Sequence, residues 1–268
     1  MKISHLGIIY GCIFFLQGCV TMSGEHPINL KNSSSVMLRG VETSSSSYDT
    51  PPSTLVVLFA GGSGQLGLAE NSTFISSYLK DNFLVASRRS FLTGDTVVFT
   101  IDCVTEQVNC SSDYRGGLLR SRDTLLLIDE IKARHPSIKK TWLVGMSRGA
   151  IDAGAVAYYA PDKISGVIYA AGVLWELINK HGVDVSKIKP KQYIIQHVDD
   201  ECSSSPVYFA KEVSEENGIP LILVNYGRGS GKRCGGGSPH SFYQQESMVV
   251  DAINKIIQTG VIEKRFLP

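Results

Sequence analysis

An excess of charge of either sign is the first thing this sequence lacks. Its 268 residues carry 26 Lys and Arg against 25 Asp and Glu, a formal net charge of +1. There is no basic stripe interleaved with aromatics, so no nucleic-acid partner is expected and a small molecule or a lipid takes that place. No internal repeat is visible. Near the N-terminus the apolar run from Leu6 to Leu16 is too short to cross a bilayer as a helix. Cysteine is sparse, with six residues in all. What is present is ordinary for a globular chain: 43% hydrophobic and 19% charged residues. That balance argues against disorder and gives enough chain for one mid-sized domain.

The short apolar run has a different use. Met1-Lys2 supplies a positive start, and the run ends in Leu16-Gln17-Gly18-Cys19. This resembles the bacterial lipobox, in which a small residue precedes the cysteine that becomes lipidated; Gln17 departs from the usual residue at its place. Residues 1–18 are then expected as a signal peptide and Cys19 as a lipidation site that ties the chain to a membrane. Val20, a non-acidic residue after the cysteine, implies by the same resemblance sorting to the outer membrane, facing the periplasm or the cell surface. Residues 19–53 contain Ser33-Ser34-Ser35 and Ser44 to Ser47 and end in Pro51-Pro52. Without a sustained apolar period they are expected as a mobile, serine-rich tether. The body is expected to begin at Thr54 and to run to residue 268.

With Cys12 in the signal segment and Cys19 assigned to lipid, Cys103, Cys110, Cys202 and Cys234 remain. An even remainder in an exported chain predicts disulfides, and four cysteines allow three connectivities.

Within the body, Thr54 to Ala60 is an apolar, β-branched run bounded by Pro and Gly-Gly, the pattern of a strand buried on both faces. Further strands are expected at Thr96–Ile101, Thr141–Gly145, Ile164–Ala170, Gln192–His197 and Pro220–Asn225. Helices are expected at Arg120–His135, with Leu125, Ile128 and Ile131 on one side, and at Arg148–Tyr159. Two more are expected at about Ser205–Asn217 and Ser241–Gln258. Alternating strands and helices predict an α/β fold, a mostly parallel sheet covered on both faces.

Gly145-Met146-Ser147-Arg148-Gly149 falls between an expected strand and an expected helix. A G-x-S-x-G motif in that setting puts a serine on a tight, strained turn at the carboxyl end of the sheet, with the helix dipole behind it. A serine hydroxyl needs a base, and the base needs a carboxylate. In the chain order Ser, acid, His, the base assigned is His240; His181 reads as a surface residue and His197 as a packing residue beside the acid. The acid comes from Asp199-Asp200-Glu201, with Asp200 preferred over its neighbours. Oxyanion donors are expected from the backbone N–H of Arg148 and from Gly62 or Ser63 in the glycine-rich loop after the first strand. Of the three disulfide connectivities, Cys103–Cys110 with Cys202–Cys234 is favoured, because the second bridge would tie the acid loop to the glycine-rich loop before His240.

The same loop, Gly62 to Gly67, also fits G-x-G-x-x-G, the dinucleotide fingerprint. The second strand with its terminal acid about 20 residues on is not visible, since Asp81 lies in a polar turn. A nucleotide-binding reading is therefore secondary. Arg88, Arg89 and Arg115 could bind an anionic substrate, but read as surface arginines.

At these residues the chain resembles the α/β-hydrolase superfamily. The resemblance covers nearly all of the body and rests most on the serine elbow. It implies ester or amide hydrolysis through an acyl-serine, acting on a small-molecule or lipid ester, with no metal and no organic cofactor. Gly172 to Pro190 is too short for a large lid domain, so a small or open acyl pocket is implied. The competing reading is a non-catalytic envelope lipoprotein that keeps the fold as a binding module.

Overall fold

A computed structural model describes residues 23–75, 78–103, 110–229 and 231–267. The signal segment and Cys19 lie outside the described residues. The apolar runs pair as parallel strands: β3 (Thr54–Phe59), β4 (Thr96–Ile101), β5 (Lys140–Met146), β6 (Gly166–Ala170), β7 (Lys191–His197) and β8 (Leu221–Val224). Every residue of β3, β4 and β6 is buried, as expected of strands covered on both faces.

Among the described residues the sheet has nine strands, in the order β1 (Ser23–Lys31), β2 (Met37–Ser45), β4, β3, β5, β6, β7, β8, β9 (Phe266–Leu267). Its outer members were not among the expected strands. β9 (Phe266–Leu267) closes one edge beside β8. At the other edge the expected tether is corrected: residues 23–45 form an antiparallel hairpin, β1 (Ser23–Lys31) and β2 (Met37–Ser45). β2 lies antiparallel on β4. The serine run at 33–35 is the hairpin's turn. Asn32 Oδ1 accepts from the Ser34 and Val36 N–H groups at 2.9 and 3.0 Å, and Ser35 adopts a left-handed φ of 60°. Only Ile28 of β1 belongs to the buried core. An edge strand with Pro27 and a polar outer face carries no apolar run, so local pattern hides it.

Six helices complete the described residues: α1 (Phe83–Ala86), α2 (Ser112–Arg115), α3 (Leu118–Arg134), α4 (Gly149–Tyr159), α5 (Val207–Asn217) and α6 (Glu246–Thr259). Residues of α3, α4 and α5 pack with Leu55, Val57, Phe59 and Leu143 on one face of the sheet. Those of α1 and α6 pack with Val56, Leu58, Val144 and Ile195 on the other. In α3 the buried stripe is Leu127, Ile128 and Ile131, with Leu125 only partly buried against it. Between β6 and β7 stand only a turn at Glu176–Lys180 and another at Val185–Lys187, and no lid domain.

Candidate active site

Ser147 follows β5 directly and has φ 53°, the left-handed region that a non-glycine residue enters at a cost. Three hydrogen bonds hold the turn. The Ser147 N–H donates to Ala170 O at 3.0 Å, while Ser147 O accepts from Ala150 and Val173 at 3.1 and 3.0 Å. The flanking glycines are steric requirements. A Cβ on Gly149 would stand 2.0 Å from Phe59 O, and one on Gly145 2.3 Å from Gly149 O.

His240 does not sit on the last helix, which begins only at Glu246. It lies on a separate 3-10 turn, Pro239–Ser241, after Ser238, whose N–H donates to Ser241 Oγ at 3.3 Å and whose carbonyl accepts from that hydroxyl at 3.0 Å. Its Nδ1 donates to Asp200 Oδ2 at 2.9 Å, and both side chains are buried. Its Nε2 is buried and makes no hydrogen bond among the described residues. His240 and Ser147 line one cavity of about 100 Å³, together with Gly61, Gly62, Leu79 and Gly236. Ser63 is not part of that lining.

Asp200 is held from four sides. Oδ2 also accepts from Gln196 Nε2 at 2.7 Å and Ser205 Oγ at 3.1 Å, and Oδ1 accepts from the Cys202 N–H at 2.9 Å. Ser205 Oγ further lies 3.1 Å from His240 Nδ1. Of the alternative acids, Asp199 is exposed, and Glu201 is exposed and pairs with Arg233 at 3.1 Å. His197 is fully buried; its Nε2 meets Tyr226 O at 3.0 Å and its Nδ1 accepts from the Asp199 N–H at 3.0 Å. It therefore shapes the turn that carries the acid. His181 is half-buried beside Gly116, outside the cavity lining. Burial lowers its pKa, and Lys180 adds to the effect.

Among the described residues there are two disulfides, Cys103–Cys110 and Cys202–Cys234, with Cα separations of 6.0 and 4.8 Å. The second joins the acid turn to the glycine-rich loop, and Cys234 itself lines the cavity.

The reading of Arg115 as a surface residue is corrected. Its side chain is 1% exposed, and Asp152, on α4 behind Ser147, accepts from it at 2.6 Å. Burial pushes the Arg115 guanidinium below its ordinary value against the pull of Asp152. Burial also acts on Arg120, but there Asp152 and Tyr114 outweigh it and hold the group above its ordinary value. Arg88 and Arg89 bind Glu25 of β1 at 2.8 and 3.1 Å, pinning the hairpin to the body. The residues of this site that sequence reasoning missed are Gln196, Ser205, Arg115, Arg120 and Asp152. Two of them leave a signal: Gln196 follows the buried apolar run Tyr193-Ile194-Ile195 of β7, and Asp152 is a lone acid in an alanine-rich helix.

The loop from Gly61 to Gly67 opens no helix. A dinucleotide site needs a helix N-terminus there to receive the pyrophosphate, so the fingerprint lacks its context.

Neither any family model nor any curated protein matches the chain. Solved structures do resemble it. Est1E from Butyrivibrio proteoclasticus is similar with a TM-score of 0.60 at 10% identity, over 87% of this chain and 98% of that one. An α/β serine hydrolase without lid from Xanthomonas campestris gives 0.58 at 16%, over 88% and 93%. A thermostable esterase gives 0.57 at 14%; the match covers 86% of this chain and 60% of the esterase. At such identities the likeness shows the fold alone: an α/β-hydrolase fold.

Proposed function

We propose that the chain is a serine hydrolase that cleaves small carboxylic esters through an acyl-serine. The observation that carries this is the buried His240–Asp200 pair at 2.9 Å, whose unpartnered Nε2 shares a cavity with the strained Ser147. In this reading Asp200 fixes the imidazole tautomer with the proton on Nδ1, leaving Nε2 as the base. Nε2 takes the Ser147 hydroxyl proton as Oγ attacks the ester carbonyl. The carbonyl oxygen, now negative, is met by the Arg148 and Gly62 N–H groups. His240 returns the proton to the departing alkoxide, and a water repeats the sequence to free the acid and regenerate Ser147. The nucleophile–base hydrogen bond is not closed here, which is common before substrate binds.

The cavity supports a small acyl group. Its volume of about 100 Å³ lies well below the ~300–1,000 Å³ of pockets for drug-sized ligands.

The lipobox resemblance supports a membrane-tethered form, with Cys19 carrying the lipid. Only residues 20–22 separate Cys19 from β1, a reach of ~3.3–3.6 Å each. Ser23 pairs with Ser45, at the end of the sheet where β3, β4 and β5 begin. Ser147 lies past the opposite end of β5, roughly 20 Å farther along the strands. With Cys19 lipidated, Ser147 would lie at the end of the sheet remote from the lipid, within reach of esters in the surrounding water.

Labelling by a fluorophosphonate probe tests the chemistry. Wild type should label and Ser147→Ala should not; a well-folded wild type that stays unlabelled would refute the hydrolase reading. Fatty-acid incorporation tests the tether, and incorporation that persists in Cys19→Ala would remove it.

A further inference from the structure

Behind the loop that supplies Gly62 lies a buried set of charges that the proposed chemistry does not use directly. Arg115, Arg120, Asp152 and Asp102 are each no more than 3% exposed. Arg115 spends its guanidinium on three acceptors. Nε donates to Asp152 Oδ2 at 2.6 Å, Nη1 to Gly62 O at 2.8 Å and Nη2 to Ala60 O at 2.6 Å. Arg120 takes the other oxygen of the same carboxylate, Asp152 Oδ1, at 2.8 Å and donates to Asp102 O at 3.0 Å. Asp102 Oδ1 in turn accepts from the Leu66 N–H at 2.6 Å.

This network is a costly way to fill space. Burying guanidinium and carboxylate groups carries a desolvation penalty, and an apolar cluster of equal volume commonly stabilises a fold at least as well. Its geometry points to another use. A peptide unit is planar and trans, so fixing its carbonyl fixes the N–H of the next residue in the opposite direction. The carbonyls of Ala60 and Gly62 are pinned by Arg115, and that of Gly61 accepts from the Gly64 N–H at 3.0 Å. The peptide that carries the Gly62 N–H is thus fixed by its own carbonyl and by the units on either side. Gly62 has φ 57°, and in a Gly-Gly pair that conformation is otherwise easily lost. Gly64 completes the fit, since a Cβ there would stand 2.6 Å from Arg115 Nη2.

Asp152 supplies the second half of the argument. It belongs to α4, the helix that begins immediately after Ser147 and Arg148. A single side chain, Arg115, therefore joins the loop bearing one oxyanion donor to the helix bearing the other.

We propose that Arg115 is the positioning residue of the oxyanion hole, setting the Gly62 N–H against the Arg148 N–H through its grip on Ala60, Gly62 and Asp152. This rests on the serine-hydrolase reading. A hole whose donors are misplaced stabilises the tetrahedral oxyanion poorly while leaving ground-state binding nearly intact.

The test compares wild type with Arg115→Lys and Arg115→Gln, using p-nitrophenyl acetate and a small alkylboronic acid that forms a tetrahedral adduct on Ser147. Lys keeps the charge and the buried stem but reaches fewer acceptors. The expected result is a fall in kcat of about 10- to 100-fold in the Lys variant, up to the lower end of the roughly 10²–10³ for a lost oxyanion donor, and more in Gln. KM should stay within about twofold, and boronate affinity should fall in proportion to kcat/KM. A folded variant with wild-type kcat, or with its loss confined to KM, would overturn the proposal while leaving the hydrolase reading standing. Failure of even the Lys variant to fold would also overturn it, by assigning Arg115 to the framework. A wild type that neither turns over the ester nor binds the boronate would instead sink the underlying reading.

Discussion

Asp200 and Cys202 are joined by a hydrogen bond from the Cys202 N–H to Asp200 Oδ1 at 2.9 Å, so the disulfide to Cys234 starts inside the shell that holds the acid. Cys234 lines the cavity, ahead of the turn that carries His240. The bridge thus spans the two chain segments whose side chains meet at 2.9 Å. Replacing both cysteines by alanine should lower kcat at least tenfold. The bridge spans a sequence separation of 32, for which chain entropy predicts a loss of about 3–4 kcal/mol. Ester hydrolysis with and without reductant, beside thermal unfolding, checks both parts. Full activity in the double variant would detach the bridge from the site.

The choice of acid can be read from single substitutions. Asp200→Asn should reduce kcat by about 10⁴, as loss of the tautomer-fixing carboxylate does elsewhere. Asp199→Asn, at an exposed position, should leave it within about twofold. Equal effects of the two would refute the assignment.

Gln196 and Ser205 both donate to Asp200 Oδ2. Gln196→Leu leaves the Asp200 carboxylate short of its 2.7 Å donor inside the protein. An unsatisfied buried charge-bearing bond is worth about 1.5–3 kcal/mol. A drop in kcat of about tenfold with unchanged KM is expected, measured by steady-state kinetics.

Acyl length should be limited by the cavity of about 100 Å³. Among p-nitrophenyl esters, kcat/KM is expected to be highest for acetyl to butyryl and to fall at least tenfold by octanoyl. A rising profile would show that the cavity opens on binding.

Stability should fall in acid through Glu42, the buried β2 carboxylate bound to Arg134 and His135 at 2.8 and 2.9 Å. Burial pushes its pKa up, but the hydrogen bonds from His135 and Arg134 outweigh this and hold it below the usual carboxylate range. A folded pKa below the unfolded one gives stability that is complete above the unfolded value and is lost as pH drops through the folded value. Glu42→Gln should therefore cost about 1–3 kcal/mol at neutral pH, and the gap to wild type should close below that window. Denaturant midpoints of the two proteins, followed from pH 7 downward until the gap closes, decide it.

How much of this was legible without coordinates follows from what is local. The buried strands are apolar runs because both their faces are covered, and the elbow at Ser147 is written in neighbours that must be small. Those signals lie within a few residues of one another, so the sequence by itself determined the α/β order and the position of Ser147. The β1–β2 hairpin was not legible, because an edge strand that buries little needs no apolar pattern. That Asp200 and not its acidic neighbours meets His240, that Arg115 is buried and that Gln196 holds Asp200 were decided only by the tertiary structure. Each depends on contacts between segments far apart in the chain, where distance and desolvation, and not residue type, set the role.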